Sequence, residues 1–476
     1  MAYSSRNPVS NTIQKTFPSV TAGELESLLA RASQAQKQWR QTDPETRAQL
    51  ATRLADLTRE RKNELAALAT LEMGKIKKEA LAEIDKCALG CDYYSVHAAP
   101  FLADEPIYTD AGKSYVSYQP LGVLLCIMPW NFPYWQVYRF VVPAILAGNA
   151  VVLKHAPNTP QIALAIEQLF REAGFPEGVF TNLFAETELI EQAIASPHIQ
   201  AVTITGSARA GRAVAAQAGA NLKKCVLELG GSDPFVVLAD ADLELAATQA
   251  VTARFQNCGQ SCIAAKRFIL VPEIADQFVA LFKEKVAALT VGDPNRDETN
   301  MGPMARLDLR DELDAQIQAS IAAGAKAVLG CTPLPGEGNF YAPSILDNVT
   351  SSMRAYREEI FGPVATILRA QNEEDALRLA NDTLYGLGAS IWSRDFARAE
   401  ELSKQIESGM VFINGVVKSD PRLPFGGVKG SGFGRELSYH GVREFVNAKT
   451  VWLKDRAPHL GEERRQGDRR RIDRRT

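Results

Sequence analysis

Leu25, Leu28, Leu29, Ala32 and Trp39 recur at helical spacing, and this apolar stripe predicts an amphipathic helix near the start of the chain. Thr21 with Glu24 makes a capping box that marks its beginning. Asp43-Pro44 punctuates the segment that follows and opens a second helix. From Ser114 to Met128 the pattern turns to strand character, SYVSYQPLGVLLCIM, broken by a Pro-Leu-Gly turn. Strands and helices then alternate: AVVLK (150–154), a helical stretch from Thr159 to Ala173, AVTIT (201–205), a helical stretch after Arg209, and KCVLEL (224–229). Such alternation implies βαβ units and a parallel sheet. It restarts at PFVVL (234–238) and runs to about residue 445, which predicts a second α/β domain and a division near Gly230-Gly231.

Composition narrows the class. A chain of 476 residues exceeds one hydrophobic core, so two or three domains are expected with room for a cleft between them. Hydrophobic residues at 46% and charged residues at 23% fit an ordinary soluble globular protein. The formal charge of −3 provides no general electropositive surface for nucleic acid or an anionic membrane, which leaves a small-molecule substrate as the expected partner. The first residues lack the apolar core of a signal peptide. The apolar stretches Pro120 to Trp130 and Phe140 to Leu153 are shorter than the roughly 18 residues of a membrane span. A cytoplasmic protein is therefore expected. Seven cysteines, odd in number and without a paired CxxC framework, predict neither a disulfide scaffold nor a structural metal site. The run 459–476 carries seven Arg and four acids with few apolar residues; it is expected to stay solvated.

Several segments carry candidate chemistry, each with a plain structural alternative. ITGSARAG (204–211) has the strand-to-helix placement of a phosphate-binding turn but lacks GxGxxG spacing, so by itself it reads better as a plain strand-to-helix turn. GGVKGSGFG (426–434) follows no βαβ strand, and its glycines read better as tight backbone turns. Cys262 in NCGQSC lies in a polar run open to substrate, as a nucleophile or as a structural thiol. Glu228 stands among apolar residues at a strand end, as a general base or as a paired carboxylate. Asn131 in PWNFP offers a neutral donor for an oxyanion, or satisfies a proline-bounded turn.

In combination these segments are more informative. PWNFP, KHAPNTP, TGS, LELGG, NxGQxC, EEIFGPV, FING and PFGGxKxSGxGRE follow one another in the order and approximate spacing of the aldehyde dehydrogenase superfamily, over roughly residues 7 to 455. Within it, ELGGSDPF, AAKRF and GPMARxDLRDEL are similar to runs in compact bacterial succinate-semialdehyde dehydrogenases. The resemblance implies an α/β fold with a Rossmann-type cofactor domain (1–101 and 121–231), an α/β catalytic domain (232–445) and a small β arm for oligomerisation (102–120 and 446–455). Residues 456–476 would form an Arg-rich flexible tail. It implies NAD or NADP as cofactor and a homodimer or homotetramer.

Site roles follow from the same resemblance. Cys262 would be the nucleophile, Glu228 the base, and Asn131 with the Cys262 backbone N–H the oxyanion hole. Lys154 would hold the adenosine ribose, Ser207 the pyrophosphate, and Glu359 with Phe361 the nicotinamide ribose, with Trp130, Gly206 and Leu229 as further cofactor-binding residues. Arg139 and Ser419 would contact the carboxylate of a substrate such as succinate semialdehyde; another ω-semialdehyde or an aliphatic aldehyde is the alternative. Arg139 has a structural alternative too, tying its helix to a neighbouring acid. Two departures stand out: Pro157 occupies the place of an acid that disfavours NADP in many relatives, and Gln256 stands six before Cys262 where relatives can carry a basic residue, with Arg254 nearby. A CoA-acylating enzyme is the competing activity, although such relatives typically lack the base at Glu228. A catalytically silent protein on the same scaffold competes from another class; the intact trio of Cys262, Glu228 and Asn131 speaks against it. Cys258, four residues before Cys262, is close enough in sequence for a reversible disulfide, or else is a buried residue turned away.

Overall fold

The computed structural model describes residues 3–454, so the expected Arg-rich tail lies outside the described residues. The opening helix, Ala22–Trp39, begins at the capping box: Thr21 Oγ1 accepts from Glu24 N and Glu24 Oε2 accepts from Thr21 N. Its buried face is Leu25, Leu28, Leu29, Ala32 and Trp39. Pro44–Glu60 follows with Asp43 as N-cap. Two further helices, Lys62–Met73 and Lys77–Phe101, were not legible as periodic segments. The second buries small residues such as Ala80, Cys87, Ala88 and Cys91, which give little apolar contrast along the sequence.

A six-stranded sheet follows, in the spatial order Gly432–Phe433, Lys224–Glu228, Ile199–Thr205, Val123–Ile127, Ala150–Lys154, Phe180–Asn182. Only Gly432–Phe433 runs antiparallel to its neighbour. Strand order reverses between Val123–Ile127 and Ile199–Thr205, and crevices of open α/β sheets form beyond the carboxyl ends at such a switch point. The glycine-rich run 426–434 supplies the added edge strand: a Cβ on Gly432, whose φ is +110°, would strike the Leu227 carbonyl. Its glycines therefore serve backbone approach.

The seven-stranded sheet has the order Lys326–Leu329, Ser344–Asp347, Val364–Arg369, Ala265–Leu270, Asp233–Val237, Gly388–Trp392, Met410–Ile413, with only Lys326–Leu329 antiparallel. Gly230 and Gly231 lie between the last parallel strand of the first sheet and the first strand of the second. Apolar residues pack around this sheet as one cluster, and two further clusters cover the faces of the six-stranded sheet. A three-stranded antiparallel sheet joins Val446–Leu453, Lys113–Pro120 and Glu105–Pro106. No helix of the described residues is long and apolar enough to cross a membrane.

Candidate active site

The candidate residues gather where the carboxyl edge of the six-stranded sheet meets the amino edge of the seven-stranded one. Asn131 lies just beyond Val123–Ile127, Lys154 ends Ala150–Lys154, Gly206 and Ser207 follow Ile199–Thr205, and Glu228 ends Lys224–Glu228. Cys262 and Glu359 come from the loops that lead into Ala265–Leu270 and Val364–Arg369.

Cys262 sits in a turn after a 3₁₀ segment in which Asn257, Cys258 and Gly259 all have positive φ, at 56°, 54° and 69°. For non-glycine residues that conformation costs roughly 1–2 kcal/mol each, and it persists only when neighbours over-determine it. Arg254 is one such neighbour. Fully buried, its guanidinium donates to the carbonyls of Gly259 (2.8 Å), Ala265 (3.1 Å), Ile360 (3.2 Å) and Gly362. Arg254 is thus a clamp on the loop and is not among the residues lining the cleft beside Cys262. The Asn257 amide donates to Asn131 O at 2.8 Å and Gln260 O at 2.9 Å, and Lys266 Nζ donates to the carbonyls of Ser261 and Cys262, both at 2.8 Å. Cys258 packs into the core of the seven-stranded sheet whereas Cys262 packs against the other main cluster, and both are free thiols.

Burial pushes the Cys262 thiol up to about 11 against the pull of the Arg139 and Lys266 cations. The resting thiol is therefore mostly neutral, with a small thiolate fraction present near neutral pH. Glu228 is buried, and neither carboxyl oxygen has a hydrogen-bond partner among the described residues. Burial and then the charge of Glu436 push its carboxyl well above the usual range, with Arg139 and Arg435 opposing. A raised carboxyl is a stronger base near neutral pH than an ordinary one. Asn131 Nδ2 spends one donor on Gln260 O at 3.1 Å and keeps another. The backbone N–H of Cys262 has no acceptor among the described residues.

Arg139 forms a buried ion pair with Glu436, donates to Thr205 Oγ1 at 3.3 Å, and lies 4.6 Å from the Phe425 ring centre. Its charge is engaged within the protein, as the structural alternative for this residue required, yet it also lines the cleft beside Cys262. Removing one partner of such a pair costs roughly 3–5 kcal/mol.

On the other side of Cys262, the residues fit a dinucleotide. Ser207 caps the helix Ala208–Ala220 by accepting from Ala210 N, leaving other first-turn N–H groups without intrahelical acceptors beside Gly206. Lys154 Nζ lies 5.8 Å from the Tyr3 ring, and burial lowers its amine to about 8 against the charge of Glu186. Pro157 brings no charge to this end; its carbonyl accepts from Ser4 N. Glu359 Oε1 accepts from Gly231 N at 3.1 Å and faces Lys266 at 3.4 Å. A Cβ on Gly230 would collide with the Glu359 carboxylate, which explains the glycine pair after Glu228. Leu229 is buried against Gly211, and Phe361 stands edge-on to Trp130 with centroids 5.9 Å apart.

His155 joins two of the motifs. Its Nε2 meets the Pro133 carbonyl at 2.9 Å, while Nδ1 lies 2.7 Å from Ala156 N and 2.9 Å from Thr159 Oγ1. That set of partners requires the neutral Nε2–H tautomer, and burial lowers the ring to about 4. The unfolded chain takes up a proton near pH 6.5 and the folded chain resists until about 4. Stability from this residue is thus complete above pH 6.5 and is lost as pH falls through that window, by about 3 kcal/mol in all. Urea titrations between pH 7 and 4 should show the decline, and His155→Gln should remove that part of the slope while lowering stability at pH 7. An unchanged slope would assign the acid sensitivity elsewhere.

A cleft of about 200 Å³ leads away from Cys262 and is lined by Trp135, Arg139, Phe425, Ser419 and Lys86. Ser419 Oγ accepts from Trp135 Nε1 at 2.9 Å and from Lys86 Nζ at 2.6 Å. Glu83 caps the helix Trp135–Leu146 from outside: its Oε1 accepts from Tyr134 N (2.9 Å) and Trp135 N (3.0 Å), while Lys75 pairs with its other oxygen. Sequence reasoning missed Lys86, Glu83, Lys266 and Glu436 as site residues. Glu436 and Lys266 stood inside recognised motifs without a role, and Glu83 and Lys86 lie on the helix that went unread.

Residues 1–451 match the model of the Aldehyde dehydrogenase family. The chain is 50% identical over 450 residues to the succinate semialdehyde dehydrogenase [NAD(P)+] of Escherichia coli, covering 94% of this chain and 97% of that one. It is 48% identical over 453 residues to a probable succinate-semialdehyde dehydrogenase [NADP(+)] of Synechocystis, covering 95% and 100%. The crystal structure of succinic semialdehyde dehydrogenase from Streptococcus pyogenes in complex with NADP+ superimposes with a TM-score of 0.94 at 39% identity, over 95% of this chain and all of that one.

Proposed function

Since the chain belongs to the aldehyde dehydrogenase family, we propose that it oxidises succinate semialdehyde to succinate with NADP or NAD, through a covalent intermediate on Cys262. The observation that carries this reading is that Cys262, Arg139 and Ser419 line one cleft. The nucleophile shares that cleft with cationic and hydroxyl side chains.

The Cys262 thiol gives up its proton to solvent, and the thiolate adds to the aldehyde carbon. Asn131 Nδ2 and the Cys262 N–H steady the resulting alkoxide. The nicotinamide, when bound, is the hydride acceptor. A thioester then remains on Cys262, and Glu228 removes a proton from the water that cleaves it, releasing acid and thiol. The dinucleotide is held by Lys154 at its adenosine ribose, by Gly206 and Ser207 along the pyrophosphate, and by Trp130, Leu229, Glu359 and Phe361 at the nicotinamide end. In this reading the six-stranded sheet carries the cofactor, the seven-stranded sheet presents the nucleophile, and the three-stranded sheet joins copies into a dimer or tetramer in the cytoplasm. Exposed Tyr108, Trp452 and Leu453 give that sheet apolar surface to cover.

Steady-state kinetics with succinate semialdehyde and butanal, each with NADP and NAD, test the proposal. The acid-tailed aldehyde should win by about 10- to 100-fold in kcat/KM, the worth of one charge-assisted hydrogen bond. Both cofactors should turn over, because Pro157 puts no carboxylate against a 2′-phosphate. Equal use of the two aldehydes would contradict the substrate assignment; strict exclusion of NADP would contradict the cofactor assignment.

A further inference from the structure

The distal carboxylate requires a cation, and three line the cleft: Lys86, Arg139 and Lys418. Arg139 is ion-paired with Glu436, Lys418 is exposed to solvent, Arg254 outside the cleft is spent on backbone carbonyls, and position 256 is an exposed glutamine. Lys86 differs. It is half-buried on the helix Lys77–Phe101, its Nζ is 4.6 Å from the Trp135 ring centre, and no carboxylate among the described residues lies within ion-pair distance. The acids nearest to it are occupied: Glu83 by Lys75 and two backbone amides, Asp420 by Arg422.

Ser419 completes the arrangement. Its oxygen already accepts from Trp135 Nε1 and Lys86 Nζ, so both lone pairs are used and its own O–H remains to donate. Lys86 likewise keeps two of its three N–H donors. A carboxylate in the cleft would accept from the hydroxyl and the ammonium together, a charge-assisted pair in a partly desolvated site.

Building on the succinate semialdehyde reading, we infer that Lys86, acting with Ser419, is the specificity-determining residue that binds the distal carboxylate of the substrate. Arg139, its guanidinium fixed by Glu436 and Phe425, adds a second positive charge to the same cleft. Burial, and next the charge of Arg139, lower the Lys86 amine to about 8, with Cys87, Glu83 and Asp420 opposing. An arriving carboxylate supplies the counter-charge that this lysine lacks.

The test is Lys86→Met in the full-length enzyme, compared with wild type on succinate semialdehyde and on butanal. The acid substrate should lose about 10- to 100-fold in kcat/KM, mostly through KM, with butanal little changed. Lys86→Arg should restore part of the preference. Equal losses on both aldehydes, or no loss on either, would overturn the role of Lys86. A wild type without preference for the acid aldehyde would instead overturn the substrate reading on which the inference rests. A second readout needs no variant. In wild type, the ratio of kcat/KM for the acid to that for butanal should fall as pH rises through about 8, since groups common to both reactions cancel in the ratio. A flat ratio would contradict a titrating lysine at the carboxylate.

Discussion

Cys262→Ala is expected to lower aldehyde oxidation by at least about 10⁴-fold, the order of loss that follows removal of a covalent nucleophile, while cofactor binding stays close to wild type. Activity falls because no other free thiol is placed to replace it. Cys258 is turned into the core of the seven-stranded sheet, Cys87, Cys91, Cys126 and Cys331 are buried, and Cys225 lies near the start of its strand, away from the Glu228 end. Cofactor binding survives because the groups assigned to the dinucleotide, Lys154, Ser207 and Glu359, are held by contacts to Tyr3, Ala210 and Gly231 that do not involve the thiol. The two readouts are steady-state formation of reduced cofactor and fluorescence titration with NADP. Substantial turnover by the variant would remove Cys262 from the mechanism. Lost cofactor binding would mark the substitution as a disturbance of the strained loop at Asn257 and Cys258.

Glu228→Gln should separate the two halves of the reaction. The amide keeps the size of the side chain but cannot accept a proton, and loss of a general base is worth about 10²- to 10⁴-fold. Thiohemiacetal formation draws on the thiolate fraction that exists without Glu228, whereas cleavage of the thioester needs an activated water in every turnover. Rapid mixing should therefore show a burst of reduced cofactor approaching one equivalent per active site, followed by a steady state slower by that factor. Raising the pH should recover part of the steady rate as hydroxide replaces the missing base. The substitution also removes a buried carboxyl that competes with Glu436 for Arg139, so the variant should not be less stable than wild type. Absence of a burst with uniformly slow turnover would place Glu228 before the thioester only.

The sequence exposed those parts of the fold where local chemistry and tertiary role coincide. Ala150–Lys154 is an unbroken apolar run because it is buried on both faces, and its bounds match the expected strand. Thr21 and Asp43 mark helix starts because their side chains cap amides a few residues on. Pro160–Glu172 was visible as a helix, but its cap is Glu72, whose carboxylate accepts from Gln161 N and Ile162 N across the fold. No local signal could reveal that. The helix Lys77–Phe101 was missed for a related reason, since it packs through small residues and turns its charges toward the cleft.

The candidate site was legible to the same extent. Cys262, Glu228 and Asn131 fall in unusual local segments, at the facing edges of the two sheets. What they meet there was hidden. The pairing of Arg139 with Glu436 spans nearly 300 residues of sequence, and the approach of Glu359 to Gly230 and Gly231 spans about 128. Arg254 read as a basic residue near the nucleophile, yet its role is to hold backbone carbonyls around a left-handed turn. Charge type is written in sequence, whereas the partner that consumes the charge is set by folding.

The central claim is that the aldehyde becomes an acyl group on Cys262 before it becomes an acid. Mass spectrometry of Glu228→Gln, quenched in acid shortly after mixing with NADP and succinate semialdehyde, tests it most directly. The account predicts a succinyl adduct on the peptide containing Cys262, appearing in step with the burst of reduced cofactor and absent when cofactor is omitted. Reduced cofactor formed without an adduct, or an adduct carried by any other residue, would contradict it.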